Sequence, residues 1–383
     1  MRKAQERIRL LDILRGFAIL GTLGTNIWIF AYLGDISYVF TIEHAEWWFS
    51  IEDFLRMFVL FLVNGKFLGL LTIMFGVGLE LKYQQSLRKG TAWPGIYVWT
   101  SFILLIEGFI HYTLVFEYDV LMSYAVTAVI VSLIVKGGNK VIKRAMIIIG
   151  GFHVIFILFI LGVSVLSVLT GGNISLGSMD DTVSLYKSGS WTEQIHHRLT
   201  NFWILRSEAI FIIPMNILLF LTGVCLMRSG AFSPDARGRK IRNKMLRIGL
   251  GLGVPLNLLI FIPGGVFDLP IRYCFAPILS IGYIALIARI VERNESYWLW
   301  SRLQAIGMMA LSCYVFQNIL SSIIFYGWGL DAGGNLNSLT IILIWITISI
   351  IQIGFAALWL RKFHLGPMES ARKYFTRVAA GKN

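Results

Sequence analysis

The chain has 383 residues, of which 56% are hydrophobic and only 14% are charged, and its mean hydropathy is +0.71. Soluble globular domains carry about 25% charged residues, so this composition excludes a soluble enzyme or binding module and predicts an integral membrane protein. The net charge of +13 does not indicate nucleic-acid binding, because no soluble segment carries a basic stripe with interleaved aromatic residues. We attribute the charge to membrane orientation and to attraction for the lipid bilayer.

Ten apolar stretches predict membrane-spanning helices, since about 20 apolar residues are needed to cross the hydrocarbon core. In chain order these stretches are 10–30, 54–81, 95–116, 119–135, 145–169, 205–227, 248–262, 273–288, 303–327 and 339–360. The stretches 119–135 and 248–262 are short, and their assignment is the weakest. The sequence therefore predicts an all-α, polytopic transmembrane helix bundle, built as a single integral-membrane domain over 1–383.

The basic residues are concentrated in one alternating set of the segments that join these spans. Counted from the N-terminal segment, this set holds 27 of the 34 Lys and Arg residues, and seven of them lie in 228–247. Cytoplasmic segments of membrane proteins carry such an excess of Lys and Arg. The pattern thus predicts that both termini are cytoplasmic.

The polar residues of the first span include Asp12, Arg15 and Asn26. Separations of 11 and 14 residues return to nearly the same face of a helix, so the three side chains form one stripe. This stripe predicts a polar path through the interior of the bundle. The alternative is that Asp12 and Arg15 only pair with each other at the inner interface.

Other ionisable groups lie in the second and third spans, where each is costly unless it is paired or hydrated. Lys66 and Glu107 fall at comparable depth, which predicts a buried pair between them. Glu107 and His111 are four residues apart and therefore share a helix face, with Asp119 just beyond. A histidine beside carboxylates is a typical general base, although an interfacial histidine without a chemical role fits the same pattern.

The sequence offers no metal site. The three cysteines, Cys225, Cys274 and Cys313, are far apart in apolar surroundings, which argues against a metal centre and against a disulfide. The adjacent pair His196 and His197 is unsuited to metal binding, because neighbouring side chains diverge.

Several segments resemble the signatures of the YeiB family of bacterial inner-membrane proteins. They include RIRLLDILRGFAILGTLGTN, NGKFLGLLTIMFGVGL, GFIHYTLVFEYDVLMSYAV and AIGMMALSCYVFQNIL. The resemblance implies a YeiB-like N-terminal half over about 1–170, a C-terminal family domain over about 205–380, and a location in the bacterial cytoplasmic membrane. The chain departs from the family at GPMESARK, where a tryptophan usually follows the glutamate, and at Glu107, which is usually apolar.

The opening LDILRGFAILGTLGTN is also distantly similar to integral-membrane acyltransferases such as heparan-glucosaminide N-acetyltransferase. Many of those enzymes have histidine at the position of Asn26, whereas the glucosaminide enzyme has asparagine followed by a histidine in an outer loop. The HAEW sequence at 44–47 is similar to that loop. This resemblance implies His44 as a rival of His111 for the role of base.

The function predicted from these features is acyl transfer from a cytoplasmic acyl-CoA to an acceptor at the outer face. Basic inner residues such as Arg239 and Lys240 would bind the CoA phosphates, and Arg15 and Lys66 would line the donor path. The alternatives are a proton-coupled transporter or exporter of a small molecule or lipid, and a non-enzymatic membrane partner protein. The sequence leaves the acceptor and the oligomeric state open, a homodimer included.

Overall fold

The computed structural model describes residues 2–42, 47–172 and 174–379, with side chains from Arg9 onward. These parts of the chain are helical, without a β-strand. The helices are α1 (Arg2–Ala31), α2 (Ile51–Val63), α3 (Lys66–Lys89), α4 (Ile96–Leu114), α5 (Leu121–Lys136), α6 (Gly138–Leu169), α7 (Asp180–Ser188), α8 (Trp191–Thr200), α9 (Phe202–Leu205), α10 (Ala209–Ser229), α11 (Ala236–Leu258), α12 (Asp268–Pro270), α13 (Ala276–Arg293), α14 (Trp298–Met308), α15 (Ala310–Phe325), α16 (Ser338–Lys362) and α17 (Pro367–Ala379). Short 3-10 helices cover Ile36–Val39 and Leu259–Phe261, and a π-helix covers Ile271–Phe275.

Every stretch predicted to span the membrane coincides with a long apolar helix, a helix pair or a short apolar helix. Eight segments of the described chain are long and apolar enough to cross, or nine if the pair α14 and α15, which is bent by 87°, is one span. The tenth counterpart, α5, has only 16 residues, as the short stretch 119–135 led us to expect. The prediction of an all-α polytopic bundle is confirmed.

The basic segment 228–247, expected to be a loop, is largely helical. Gly230 ends α10 in the left-handed conformation, and the carboxylate of Asp235 caps α11 by accepting from the backbone N–H of Gly238 at 2.7 Å. Helix α11 therefore begins inside the basic segment and reaches Leu258. The span that looked too short at 248–262 is the apolar part of a longer helix.

Helix α1 lies at the centre of the bundle and packs against α3, α14, α15 and α16. Its contact with α14 depends on glycine: a Cβ on Gly16 would lie 2.0 Å from the carbonyl oxygen of Leu303, and one on Gly307 would lie 1.8 Å from that of Asp12. Small residues let membrane helices approach this closely. The polar face of α1 is therefore fixed firmly in the interior.

The segment between α6 and α10 folds over one end of the bundle. Tyr186 of α7 is fully buried, donates a hydrogen bond to the carboxylate of Glu117, and accepts one from Arg198 Nε at 3.0 Å. Arg198 Nε also lies 3.3 Å from Glu117. Burial and the neighbouring Glu117 carboxylate raise the pKa of Tyr186 well above its usual value. Tyr186 is thus a neutral hydrogen-bond donor that ties this segment to the bundle.

The C-terminal helix α17 packs against α4 and the start of α15. The carboxylate of Glu369 accepts from the backbone N–H of Leu311 at 2.8 Å and from the Ser312 hydroxyl at 2.5 Å, so it caps α15. Arg372 donates to Glu107 of α4 through Nε at 2.8 Å. These two contacts connect the end of the chain to two membrane helices.

Candidate functional site

The predicted Lys66–Glu107 pair is wrong. Lys66 is completely buried, donates to the carbonyl oxygen of Leu60 at 3.4 Å, and lies 5.8 Å from the ring centroid of Phe61. Glu107 is paired with Arg372 instead. The physical reason is that α17 lies beside α4 and supplies the cation, while Lys66 caps the C-terminal end of α2 where the chain breaks between α2 and α3.

His111 is held by hydrogen bonds on both ring nitrogens. Its Nδ1 lies 3.0 Å from Oδ1 of Asp119, and its Nε2 lies 3.2 Å from Nδ2 of Asn318. With Asn318 donating to Nε2, the imidazole is neutral and carries its proton on Nδ1, an assignment made from the hydrogen-bond geometry. The structure thus brings Asp119, and not Glu107, to the histidine. The second oxygen of Asp119 accepts from the backbone N–H groups of Leu121 and Met122.

Asn26 lines a small cavity inside the bundle with a volume of about 40 Å³. This volume is enough for a few water molecules. The polar lining residues are Thr22, Thr25, Asn26, Tyr118, Glu208, Arg272 and Tyr314. Asn26 makes no hydrogen bond with any residue that the structure describes, so its amide is available to a ligand in what we call the central cavity.

Arg272 and Glu208 supply the charges of the central cavity. Arg272 donates from Nη1 to Oδ1 of Asn64 at 2.7 Å, and its Nη2 lies 3.4 Å from Oε1 of Glu208. The hydroxyl of Tyr273 donates to the same glutamate. Within the described residues, Arg272 Nε has no hydrogen-bond partner. The cavity therefore offers a partly unused guanidinium and a carboxylate near the amide of Asn26.

Arg272 enters the bundle through the π-helix Ile271–Phe275, which precedes α13. Residues in π-helical turns often lie at functional sites. The sequence patterns singled out neither Arg272 nor Glu208. The available signal for this pair was a Glu near the start of one apolar stretch, 205–227, and an Arg directly before another, 273–288.

The polar stripe of α1 is divided into two parts. Asp12 and Arg15 form an ion pair at 3.0 Å, and the Arg15 side chain is 29% exposed. Ile19 is buried between this pair and the central cavity, which begins at Thr22. Only Asn26 of the three predicted residues reaches the cavity, because the apolar Ile19 occupies the intervening turn of the stripe.

The remaining predicted site residues lie elsewhere. Arg239 and Lys240 are exposed on the first turns of α11. His44 lies outside the described residues. Across the described ranges, no three His, Cys, Asp or Glu side chains cluster as metal ligands would.

The sequence of this chain is similar to a protein family of unknown function and to bacterial proteins. Residues 226–379 match the family model described as "Protein of unknown function (DUF418)". The chain is 27% identical to the uncharacterized protein YeiB of Escherichia coli, an alignment that covers 98% of each chain. The resemblance to the YeiB family is confirmed.

A second relative is the uncharacterized protein YxaH of Bacillus subtilis, which is 26% identical over 95% of this chain and 92% of its own length. A 39.9 kDa protein encoded in the amylase 3′ region of Bacillus acidopullulyticus is 24% identical over 95% of this chain. The YeiB-like resemblance therefore extends over both halves of the bundle, including α1 with Asn26 and the region of Arg272. The chain is a multi-pass membrane protein that is similar to these relatives along most of its length.

Proposed function

We propose that this protein is a membrane-embedded acyltransferase of the bacterial cytoplasmic membrane. It would move an acyl group from a cytoplasmic acyl-CoA to a hydroxyl or amine that enters from the outer face. The observation that carries the proposal is the convergence of Asn26, Arg272 and Glu208 on one cavity inside the bundle. A hydrogen-bond donor, a cation and a carboxylate are the groups that acyl transfer requires.

In this reaction the acceptor oxygen or nitrogen attacks the thioester carbonyl and forms a tetrahedral oxyanion. The amide of Asn26 and the guanidinium of Arg272 would stabilise the negative charge as it develops. Collapse of the intermediate breaks the carbon–sulfur bond and expels the CoA thiolate. The acceptor proton passes to a base of the protein.

Two described residues are candidates for that base. Glu208 lines the cavity directly. His111 lies behind Tyr314, a cavity residue whose ring centroid is 5.1 Å from that of the histidine. His111 would act as the base only after Asn318 releases Nε2 and Tyr314 moves aside. We therefore assign the role of general base to Glu208 and keep His111 as the alternative. His44 is retained as a third candidate.

The donor would approach from the basic end of the bundle. Arg239 and Lys240 present charges suited to the CoA phosphates, and Arg15 lies further along the path. The thioester must then pass the layer of Ile19, and a cavity of about 40 Å³ cannot hold an acyl chain. Transfer therefore requires an opening movement of helices around α1.

The experiment is steady-state transfer by the purified protein, with radiolabelled acetyl-CoA and longer acyl-CoA donors. Release of free CoA thiol is measured in the presence of membrane extracts as a source of acceptors. Loss of an oxyanion donor typically lowers kcat by about 10²–10³, so Asn26→Ala should do so. Asn243→Ala, an exposed residue of α11, is the matched control. Absence of both acyl-CoA binding and turnover in the wild-type protein would overturn the proposal.

A specific observation favours transport as the second candidate. The central cavity is lined at breaks in helices: Gly65 lies between α2 and α3, and Arg272 lies in the π-helix. Discontinuous helices commonly form the substrate sites of secondary transporters. Proteoliposomes with a pH-sensitive dye inside would reveal proton flux, which Glu208→Gln should abolish if this second function is correct.

A further inference from the structure

A wedge-shaped groove on the lipid-facing side of the bundle lies apart from the central cavity. Helices α6 and α10 run antiparallel, and at Gly150 a Cβ would lie 3.2 Å from Cδ1 of Leu218. Eleven residues earlier in α6, Oδ1 of Asn139 accepts from Arg228 at 2.5 Å. Between these two contacts lies a groove of about 540 Å³, and the helical rise gives it a length of about 16 Å.

The walls of this groove are apolar, and one end is polar. Its lining residues are Asn139, Ile142, Lys143, Met146, Ile147, Leu218, Cys225 and Arg228. Ile147 is 63% exposed and Cys225 is exposed, so the groove opens sideways towards lipid. Its shape and lining match a hydrocarbon chain that lies parallel to the two helices.

The polar end of the groove is lined by Arg228 and Lys143, and two further cations, Lys140 and Arg144, lie within one helical turn of Lys143 on α6. Arg228 is neutralised by Glu80, to which it donates from Nε at 3.0 Å and from Nη2 at 2.9 Å. Lys140, Lys143 and Arg144 are exposed and form no ion pair with a described residue. At separations of three and four residues, their side chains share one face of α6. An unneutralised cluster therefore stands where the groove meets the lipid headgroups.

We propose that this groove is a binding site for one anionic glycerophospholipid. The phosphate would bind Lys143 and Lys140, and one acyl chain would lie along Met146, Ile147 and Leu218. Basic pockets between helices near the cytoplasmic face recognise anionic headgroups in this way. The site is independent of acyl transfer, because none of its residues lines the central cavity.

The test is native mass spectrometry of the full-length protein in mild detergent, titrated with phosphatidylglycerol and phosphatidylcholine of identical acyl chains. We expect one phosphatidylglycerol per chain bound more tightly than phosphatidylcholine. Removal of each basic side chain should weaken the binding of phosphatidylglycerol roughly fivefold. Lys143→Ala should show this loss once, and the double variant Lys140→Ala with Lys143→Ala should show it for each of its two substitutions. Lys143→Arg, which keeps the charge, should retain affinity.

Two further variants separate this site from general electrostatic attraction. Lys244→Ala removes an exposed cation from α11 and should leave affinity unchanged. Cys225→Trp fills the groove without altering charge and should release the lipid. Equal affinity for the two lipids, or an unchanged affinity in Lys140→Ala with Lys143→Ala, would overturn the proposal; unchanged binding in Cys225→Trp would overturn the placement of the acyl chain.

Discussion

The carboxylate of Asp119 forms hydrogen bonds both with the imidazole of His111 and with the backbone at the start of α5. One oxygen lies 3.0 Å from Nδ1 of the histidine, and the other accepts from the N–H groups of Leu121 and Met122 at 2.8 and 3.2 Å. Asp119 therefore holds the imidazole tautomer and satisfies backbone donors at the start of α5. Any measurement on this pair must separate the chemical effect from the structural one.

Asp119→Asn is expected to destabilise the protein more than His111→Gln. The asparagine amide cannot accept all the hydrogen bonds of the carboxylate, and unsatisfied buried donors cost about 1–3 kcal/mol. Thermal unfolding in detergent, followed by tryptophan fluorescence, measures the difference. Equal melting temperatures for the two variants would show that the backbone contacts of Asp119 contribute little.

Glu107 should be energetically coupled to Arg372 and not to Lys66. Removing either partner leaves the other in apolar surroundings, so each of Glu107→Gln and Arg372→Gln should be destabilising by about 1–3 kcal/mol, while the double variant should lose less than the sum. A double-mutant cycle on thermal stability measures this coupling. The cycle of Glu107→Gln with Lys66→Met is the control, and significant coupling there would contradict the observed arrangement.

Lys66→Met alone is expected to be neutral or stabilising. Lys66 is fully buried without a carboxylate partner among the described residues, and replacing a buried charge with an apolar side chain of similar length removes its desolvation cost. The melting temperature of the purified variant is the readout. A large loss of stability would mean that the cap on Leu60 is essential to the break between α2 and α3.

Asn26 and Asn64 form a matched pair of asparagines near the central cavity. Asn26 has no hydrogen bond with a described residue, so Asn26→Ala should change stability by less than about 0.5 kcal/mol while removing transfer activity. Asn64 accepts from Arg272 and donates to the carbonyl of Val39 at 2.8 Å. Asn64→Ala should therefore destabilise by about 1–3 kcal/mol. A destabilised Asn26→Ala with normal activity would argue against a ligand-binding role.

The hydrogen bond from Tyr186 to Glu117 should make the segment between α6 and α10 sensitive to alkali. Because the pKa of Tyr186 is raised in the folded protein, its stabilising effect is complete below the unfolded pKa of about 10 and is lost as pH rises towards the folded value. Hydrogen exchange in α7 and α8 at neutral and strongly alkaline pH tests this. Tyr186→Phe should show a smaller increase in exchange than the wild type, and an equal increase would contradict the assignment.

The architecture was largely predictable, because the apolar length of each stretch is a property of the sequence alone. The position of Asn26 in the interior followed from helical spacing. The choice of Asp119 over Glu107 as the partner of His111 did not, because Asp119 lies in the connection between α4 and α5, where helical spacing does not apply. The partner of Glu107 could not be inferred, since Arg372 is 265 residues away in a helix that looks like a polar tail. Arg272 was missed because it lies in a π-helix that places it at the cavity. The periodicity of apolar residues does not predict a π-helix.

Helix α17 is synthesised after every membrane-spanning helix, yet it supplies the counter-ion of Glu107 and the cap of α15. While the chain is still on the ribosome, Glu107 has no counter-ion and the first turn of α15 has no cap. The final consolidation of the bundle is therefore an event that follows translation of the spans. Fusions that restrain the C-terminal helix would be expected to impair maturation even though they touch no residue of the central cavity.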